Sequence, residues 1–317
     1  MSSASPKKSD VLVVGDSWRG PVVARAFADQ GASTRLVTLP FPNSPTPKET
    51  LVHVGNGELH DKARLIMGNA MADTIWAISR RNFELAKAHA IKEGLLLWEP
   101  QGLREPALLF DWSRCASLFP SQSDELISLD KDRASFKGAG EIKAHVTVLV
   151  GELPAPKYLT WLHDKWIPVT LSSFAFPSSI KSDVLGTFFN GGADFAFYEA
   201  SGDLRLGSYR NLFNDKAVGV HEKTDPATLA GVTKFFGDKG WISSTKPTSE
   251  GLQVEALPCD GLPVVGAIPE APNVHVLGGF NGRWQNFLFE TARGLADSVV
   301  NGRPLDELFL FSTKRFV

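Results

Sequence analysis

Two cysteines in 317 residues, Cys115 and Cys259, are too few and too far apart for a disulfide framework, and no C-x-x-C spacing suggests a zinc site. A reducing, cytoplasmic setting is the expectation. No stretch of about 18 apolar residues occurs, so no membrane-spanning helix is expected. The opening segment, MSSASPKKSD, lacks the apolar core of a secretory leader and reads as a disordered lead. A clustered basic excess is missing too. The formal net charge of -2 and pI near 6.4 offer no electrostatic footprint for nucleic acid or an anionic membrane, which favours a small-molecule partner. The seven histidines form no metal-binding triad, and no internal repeat or low-complexity tract is present.

What the chain does have is an α/β pattern. Asp10 to Gly15 (DVLVVG) is a short valine-rich run, as in a parallel strand buried on both faces. A helix follows, with Pro21 in its first turn, an apolar face of Val22, Ala26 and Phe27, and Gly31 as its stop. STRLVTL is a second strand, completing a βαβ unit. A long helix is expected over about Asn69 to Glu93, stopped by Gly94, and a short one in DWSRCASLFP. EIKAHVTVLVG reads as one strand ending at Gly151. Between Trp166 and Leu206, β-branched and aromatic segments separated by Gly, Pro and Asp point to an antiparallel sheet. TDPATLAGVTKFFGDKG is a helix capped by Thr224 or Asp225. NVHVLGG is a buried strand, and RWQNFLFETARGLADSVVNG is a helix ending near Gly302.

The first turn reads Gly15-x-Ser17-x-x-Gly20-x-x-x-Ala24. Gly15 permits a tight turn, Gly20 and Ala24 let helix and strand pack closely, and the helix N-terminus offers free N–H groups to a pyrophosphate. Taken alone, the motif also suits an NAD-dependent dehydrogenase.

The far C-terminus is more specific. DGLPVVGAIPEAPNVHVLGGFNGRWQNFLFETARGLADSVVNGRPLDELFLFSTKRF resembles the end of the D-amino-acid oxidase and sarcosine oxidase family of FAD enzymes, in its D-G-x-P-x-x-G stretch (Asp260, Gly261, Pro263, Gly266) and its Arg315-Phe316 tail. DFAFYEASGDLRLGSYR is similar to the family's substrate-domain strand pair. VHVGNGELH, with Asn56 and Gly57, is similar to the segment that passes close to the flavin ring. NAD would leave these similarities unexplained.

The resemblance implies a Rossmann-like FAD-binding domain, residues 1–60, 123–160 and 255–317, interleaved with an α+β substrate domain containing an antiparallel sheet, residues 61–122 and 161–254. It also implies oxidation of a C–N bond in an amine or amino-acid-like substrate. The implied FAD-binding positions are Gly15, Asp16, Ser17, Gly20, Thr38, Asn56, Gly57, Gly151, Gly279, Asn281, Gly282, Arg283, Trp284 and Gln285. Arg283 to Asn286 would lie at the flavin's pyrimidine edge. Arg205 stands at a position similar to the sarcosine-oxidase branch's oxygen-side lysine. Strand alternation would put Arg205, Gly207 and Tyr209 on one surface, making Arg205 and Tyr209 the catalytic candidates.

Departures from the family pattern are specific. Ser17 replaces the middle glycine, Asp16 adds a negative charge beside the pyrophosphate position, and Thr38 stands where an acidic residue usually holds the ribose. After Pro120 the chain passes almost directly to SDELISL. Glu199 lies near the place of the amino-acid oxidases' carboxylate-binding arginine. Cys259 reads as a small buried hydrophobe rather than a flavin attachment point. These departures leave open a non-catalytic relative, an assembly subunit or binding protein with weakened or lost FAD binding or one that needs a partner subunit.

Overall fold

Valines at Val11 and Val13 face one side of the first strand and Leu12 and Val14 the other, and each pair enters a different apolar core. That two-sided burial makes β1 (Asp10–Gly15) the centre of the molecule. The computed structural model describes residues 10–40, 49–53, 57–99, 106–130, 132–151, 159–179, 186–190, 193–200, 203–209, 221, 223–280 and 283–316.

From β1 the chain enters α1 (Arg19–Asp29), turns at Gly31 in the left-handed region (φ 88°), and returns as β2 (Ser33–Thr38), parallel to β1. β3 (Glu49–His53), α2 (Gly57–Met67) and α3 (Asn69–Glu93) follow, and Gly94 ends α3 with φ 66°. β4 (Leu96–Trp98) and β5 (Ala107–Asp111) complete a three-stranded sheet with β3. A 3-10 helix, Trp112–Leu118, leads at once into β6 (Ser121–Ser123), which pairs with β2.

The antiparallel strands β7 (Leu126–Asp130), β8 (Arg133–Phe136) and β9 (Gly140–Lys143) then cover one face of the main sheet, before β10 (Val146–Val150) enters that sheet beside β1. The single strand expected over EIKAHVTVLVG is therefore two strands in two sheets. The change of period marks the boundary: Ile142 is buried between exposed Glu141 and Lys143, whereas Thr147 to Val150 are buried without alternation.

β11 (Trp166–Pro177), β12 (Gly186–Asn190), β13 (Ala193–Ala200), β14 (Asp203–Tyr209) and β15 (Ser249–Pro258) form the expected antiparallel sheet, ordered β12-β13-β14-β11-β15. Between its last two strands in sequence, α4 (Pro226–Asp238) packs Val232 and Phe236 against Phe174 and Phe176. Asp225, rather than Thr224, caps it by accepting from Thr228 N at 2.9 Å. β16 (Val264–Ile268), β17 (Ala271–Gly278) and α5 (Trp284–Asn301) close the fold.

The main sheet runs β16-β17-β10-β1-β2-β6 and is parallel except for β16. One face packs on α1, α3 and α5 around Phe27, Ile78 and Leu288, and the other on the β7–β9 sheet through Leu126, Phe136 and Ile142. Strand order reverses between β1 and β10, so the crevice beyond Gly15 and Gly151 is where such a sheet takes a ligand.

Candidate functional site at the switch point of the sheet

Gly15 is forced by packing. A Cβ there would lie 2.9 Å from both the Cβ and the carbonyl oxygen of Val150, and one on Gly20 would lie 3.1 Å from Leu36 Cδ1. The glycines thus bring α1 down onto β10 and β2, as the motif requires.

Asp16 takes the place beyond the turn. Its Oδ1 accepts from the backbone N–H groups of Trp18 at 3.2 Å and Arg19 at 2.6 Å, and its Oδ2 pairs with Arg19 Nε at 2.5 Å. Arg19 Nη1 reaches Glu255 Oε1 and Oε2 at 3.3 and 3.4 Å. Gln253 Nε2 donates to Glu255 Oε1. Asp16, Arg19 and Glu255 are 4%, 2% and 0% exposed, so this is an interior charge network joining α1 to the antiparallel sheet. Gly151, at φ 115°, faces Asp16 Oδ2; a Cβ on it would stand 3.4 Å from that oxygen.

Trp18 is fully buried against Trp284 (ring centroids 4.3 Å apart) and Trp112 (5.5 Å), both edge-on. Trp112 meets Trp284 at 4.4 Å and stacks on Phe110. The turn before α1 and the start of α5 are therefore in direct contact. Indole Nε1 of Trp18 and of Trp112, and Gln285 Oε1, are buried with no hydrogen-bond partner among the described residues.

The start of α5 is held from two sides. A side chain on Gly278 would run into the Gly151 carbonyl oxygen, and Gly279, at φ 66°, passes under Trp166 and Pro258. From α3, Asn82 donates to Gln285 O at 2.8 Å and accepts from Phe289 N at 2.8 Å and Glu290 N at 3.2 Å. Asn286 Nδ2 lies 3.5 Å from Ser79 Oγ.

The remaining sequence candidates are dispersed. Thr38 ends β2 with Oγ1 3.5 Å from Gln122 O, tied to β6. Ser17 is exposed at the turn. Gly57 is the first residue of α2. Asn56, Asn281 and Gly282 fall outside the described residues. Arg205 and Tyr209 lie on β14, in register with Ala175 and Ser172 of β11, and their side chains are likewise outside the description. A register irregularity between those two pairs sets three residues of β14 against two of β11. Cys259 is exposed rather than buried, because it follows the end of β15 in a turn. Cys115 is the buried cysteine; burial, with the Asp111 and Asp16 carboxylates adding, pushes its thiol pKa up and leaves it an inert packing group.

Sequence reasoning missed Trp18, Arg19, Asn82 and Glu255. The Asp16-x-x-Arg19 spacing at a helix start was a readable signal for the first pair. Glu255, 236 positions from Arg19, gave none.

The turn accommodates an anion, since the Asp16 carboxylate is one: it already uses two N–H groups and a guanidinium of the kind a diphosphate would use. By donor type, two backbone N–H groups and a guanidinium, the seat fits the diphosphate of FAD once the Asp16 carboxylate has left it.

No family model matches the sequence. No curated protein sequence matches it either. Solved structures do match. Glycine oxidase from Bacillus cereus ATCC 14579 is 13% identical with a TM-score of 0.59, over 95% of this chain and 98% of that one. L-proline dehydrogenase from P. horikoshii is 12% identical with a TM-score of 0.60, over 98% of each. Fructosyl amine:oxygen oxidoreductase (Amadoriase I) from Aspergillus fumigatus is 13% identical with a TM-score of 0.63, over 98% of this chain and 90% of that one. Across nearly its whole length, the chain shares its α/β fold with these amine and amino-acid oxidoreductases.

Proposed function

We propose that this chain is an FAD-dependent oxidoreductase acting on the C–N bond of a small amine or amino-acid-like substrate. The observation that carries the reading is the anion seat at the head of α1, set at the sheet's switch point in a fold shared with amine and amino-acid oxidoreductases. When bound, FAD would supply a hydride acceptor for the substrate carbon; water then hydrolyses the substrate imine, and oxygen or another acceptor takes up the two electrons.

This chain's own residues supply binding and electrostatics. The N–H groups of Trp18 and Arg19, with the Arg19 guanidinium, would hold the diphosphate beside Gly15, Ser17 and Gly20. Gly151 leaves space at the end of β10 for close backbone approach, and Gly279, packed under Trp166 and Pro258, would bring the chain after β17 up beside it. Arg283, Trp284 and Gln285, at the start of α5, would present the positive end of a helix dipole to the flavin and so favour its reduced, more negative form. Thr38, Asn56, Gly57, Asn281 and Gly282 would complete the cofactor-binding set, with Arg205 and Tyr209 as the catalytic candidates. The division into a discontinuous cofactor domain and a substrate domain belongs to the same reading.

A second reading, a non-catalytic relative with weakened or lost FAD binding, is favoured by one observation: Asp16, Trp18 and Arg19 are each less than 5% exposed, covered by the protein's own side chains. Spectroscopy decides between the two. On the enzyme reading, protein incubated with FAD keeps flavin absorbance through desalting, releases it on denaturation, and is bleached by a suitable secondary amine or amino acid under anaerobic conditions. Colourless protein whose melting temperature FAD does not raise establishes the second reading.

A further inference from the structure

We propose that Asp16 is a built-in competitor for the chain's own diphosphate seat, locked there by Arg19 and Glu255, so that a dinucleotide binds only by displacing its carboxylate. The inference rests on the FAD reading for the identity of the natural ligand, but the seat itself is defined by this chain's residues.

An acid beside a phosphate-binding turn is expected to point away from it. Asp16 does the opposite. Oδ1 sits on the N–H groups of Trp18 and Arg19, and Oδ2 takes Arg19 Nε at 2.5 Å. Its carboxylate thereby holds donors that a glycine-turn dinucleotide site offers to its ligand.

The lock lies one step further on. Arg19 is fixed between two carboxylates, Asp16 on its own helix and Glu255 on β15, all within the protein interior. The face of Trp18 lies 4.3 Å from Arg19 Cζ and limits the guanidinium's freedom further. Two carboxylates and one guanidinium leave these three groups with a formal charge of -1, in surroundings where charge is poorly screened. A diphosphate cannot simply add to this arrangement, because the N–H groups are taken and the net charge repels it. Exchange is the available route: the diphosphate takes the N–H groups, Arg19 keeps Glu255, and the Asp16 side chain rotates out past Gly151, whose missing Cβ leaves the space beside Oδ2 clear.

The test titrates inorganic pyrophosphate and, separately, FAD into the full-length protein and into Asp16→Ala and Asp16→Asn by calorimetry, with circular dichroism confirming that each variant is folded. Asp16→Ala removes both charge and competitor, so pyrophosphate should bind at least tenfold more tightly than to wild type. Asp16→Asn keeps an acceptor for the N–H groups but removes the charge, so a smaller gain is expected, and it decides the matter if Asp16→Ala does not fold. Pyrophosphate affinity that is unchanged, or undetectable in a folded variant, overturns the competitor role. The FAD arm reports separately. Tight FAD binding that is equal in all three proteins upholds the cofactor and sinks the competitor. A gain for pyrophosphate with no FAD binding to any of the three upholds the competitor and sinks the FAD function.

Discussion

Arg315 grips Asp260 with two guanidinium nitrogens, Nε at 2.5 Å and Nη2 at 3.2 Å, and Nη2 also donates to Leu262 O at 2.8 Å. Two short motifs 55 positions apart thus close on one another. Their contact fastens the C-terminal turn over β16, where Thr313 Oγ1 donates to Ala267 O at 2.7 Å and Ser312 bridges to Val265. β16 is an edge strand, and the tail covers it.

Arg315→Ala should therefore destabilise the protein by about 1–2 kcal/mol, the scale of a two-pronged charged hydrogen bond that is only partly buried. Arg315→Lys should recover only part of this, since an ammonium cannot reproduce the planar fork. Urea unfolding measures both. Identical midpoints for wild type and Arg315→Ala would show that the clasp contributes nothing to stability.

Legibility in the sequence followed locality. The βαβ opening, the Asn69 to Glu93 helix with its Gly94 stop, and the capped α4 could all be read because strand runs, glycine stops and an Asp cap act within a few residues. Reading VHVGNGELH only as a segment near the flavin misses α2, although Gly57 begins eleven helical residues. At the site, Gly15 and Gly20 were legible as packing positions, while the direction in which Asp16 points was not. That direction depends on Arg19 and, through it, on Glu255, whose approach is made by the antiparallel sheet and leaves no local trace.

Trp18→Ala should cost about 3–5 kcal/mol, the usual range for truncating a large buried aromatic. It would leave a cavity where the turn before α1 meets Trp112 and Trp284. Trp18→Phe, which keeps an aromatic edge there, should cost clearly less. Near-ultraviolet circular dichroism should weaken in both, because the three indoles are in mutual contact. Retention of wild-type stability in Trp18→Ala would mean that the cluster can collapse without it.

Asn82 is fully buried and joins α3 to α5 through one donor and one acceptor. Asn82→Leu keeps much of the volume but leaves Gln285 O without that donor and the Phe289 and Glu290 N–H groups without that acceptor, so a loss of about 2–4 kcal/mol is expected. Asn82→Asp tests the two halves separately. Its carboxylate can still accept from Phe289 N but cannot donate to Gln285 O, and it brings a second acid toward buried Glu290. Thermal melts should rank wild type above both variants. A melting point for Asn82→Leu at or above wild type would contradict the bridging role.

His275 gives the protein a predictable weakness in acid. It lies in β17 between β10 and β16, paired with Val148 on one side and Ala267 on the other. Burial lowers its pKa from 6.5 to about 4, opposed in part by a hydrogen bond with the Asn273 backbone, and its Nδ1 has no partner among the described residues. In the unfolded chain the same imidazole titrates near its ordinary value. Between those two pH values the unfolded state holds a proton that the folded state refuses. Stability is therefore highest above about 6.5 and falls as the pH drops toward 4, by up to about 1.4 kcal/mol per pH unit and about 3 kcal/mol in total. Carboxylates contribute to acid unfolding as well, so the informative quantity is the difference between wild type and His275→Gln. Glutamine does not titrate. At pH 8 the variant should be the less stable of the two, because its side chain fits the imidazole's place imperfectly. As the pH falls from 6.5 to 4 the gap should close and then reverse, since only wild type pays to keep a half-buried ring neutral. Urea midpoints measured at half-unit steps across that range will show the crossing, and curves that run parallel from pH 8 to pH 4 would rule His275 out as the source of acid sensitivity.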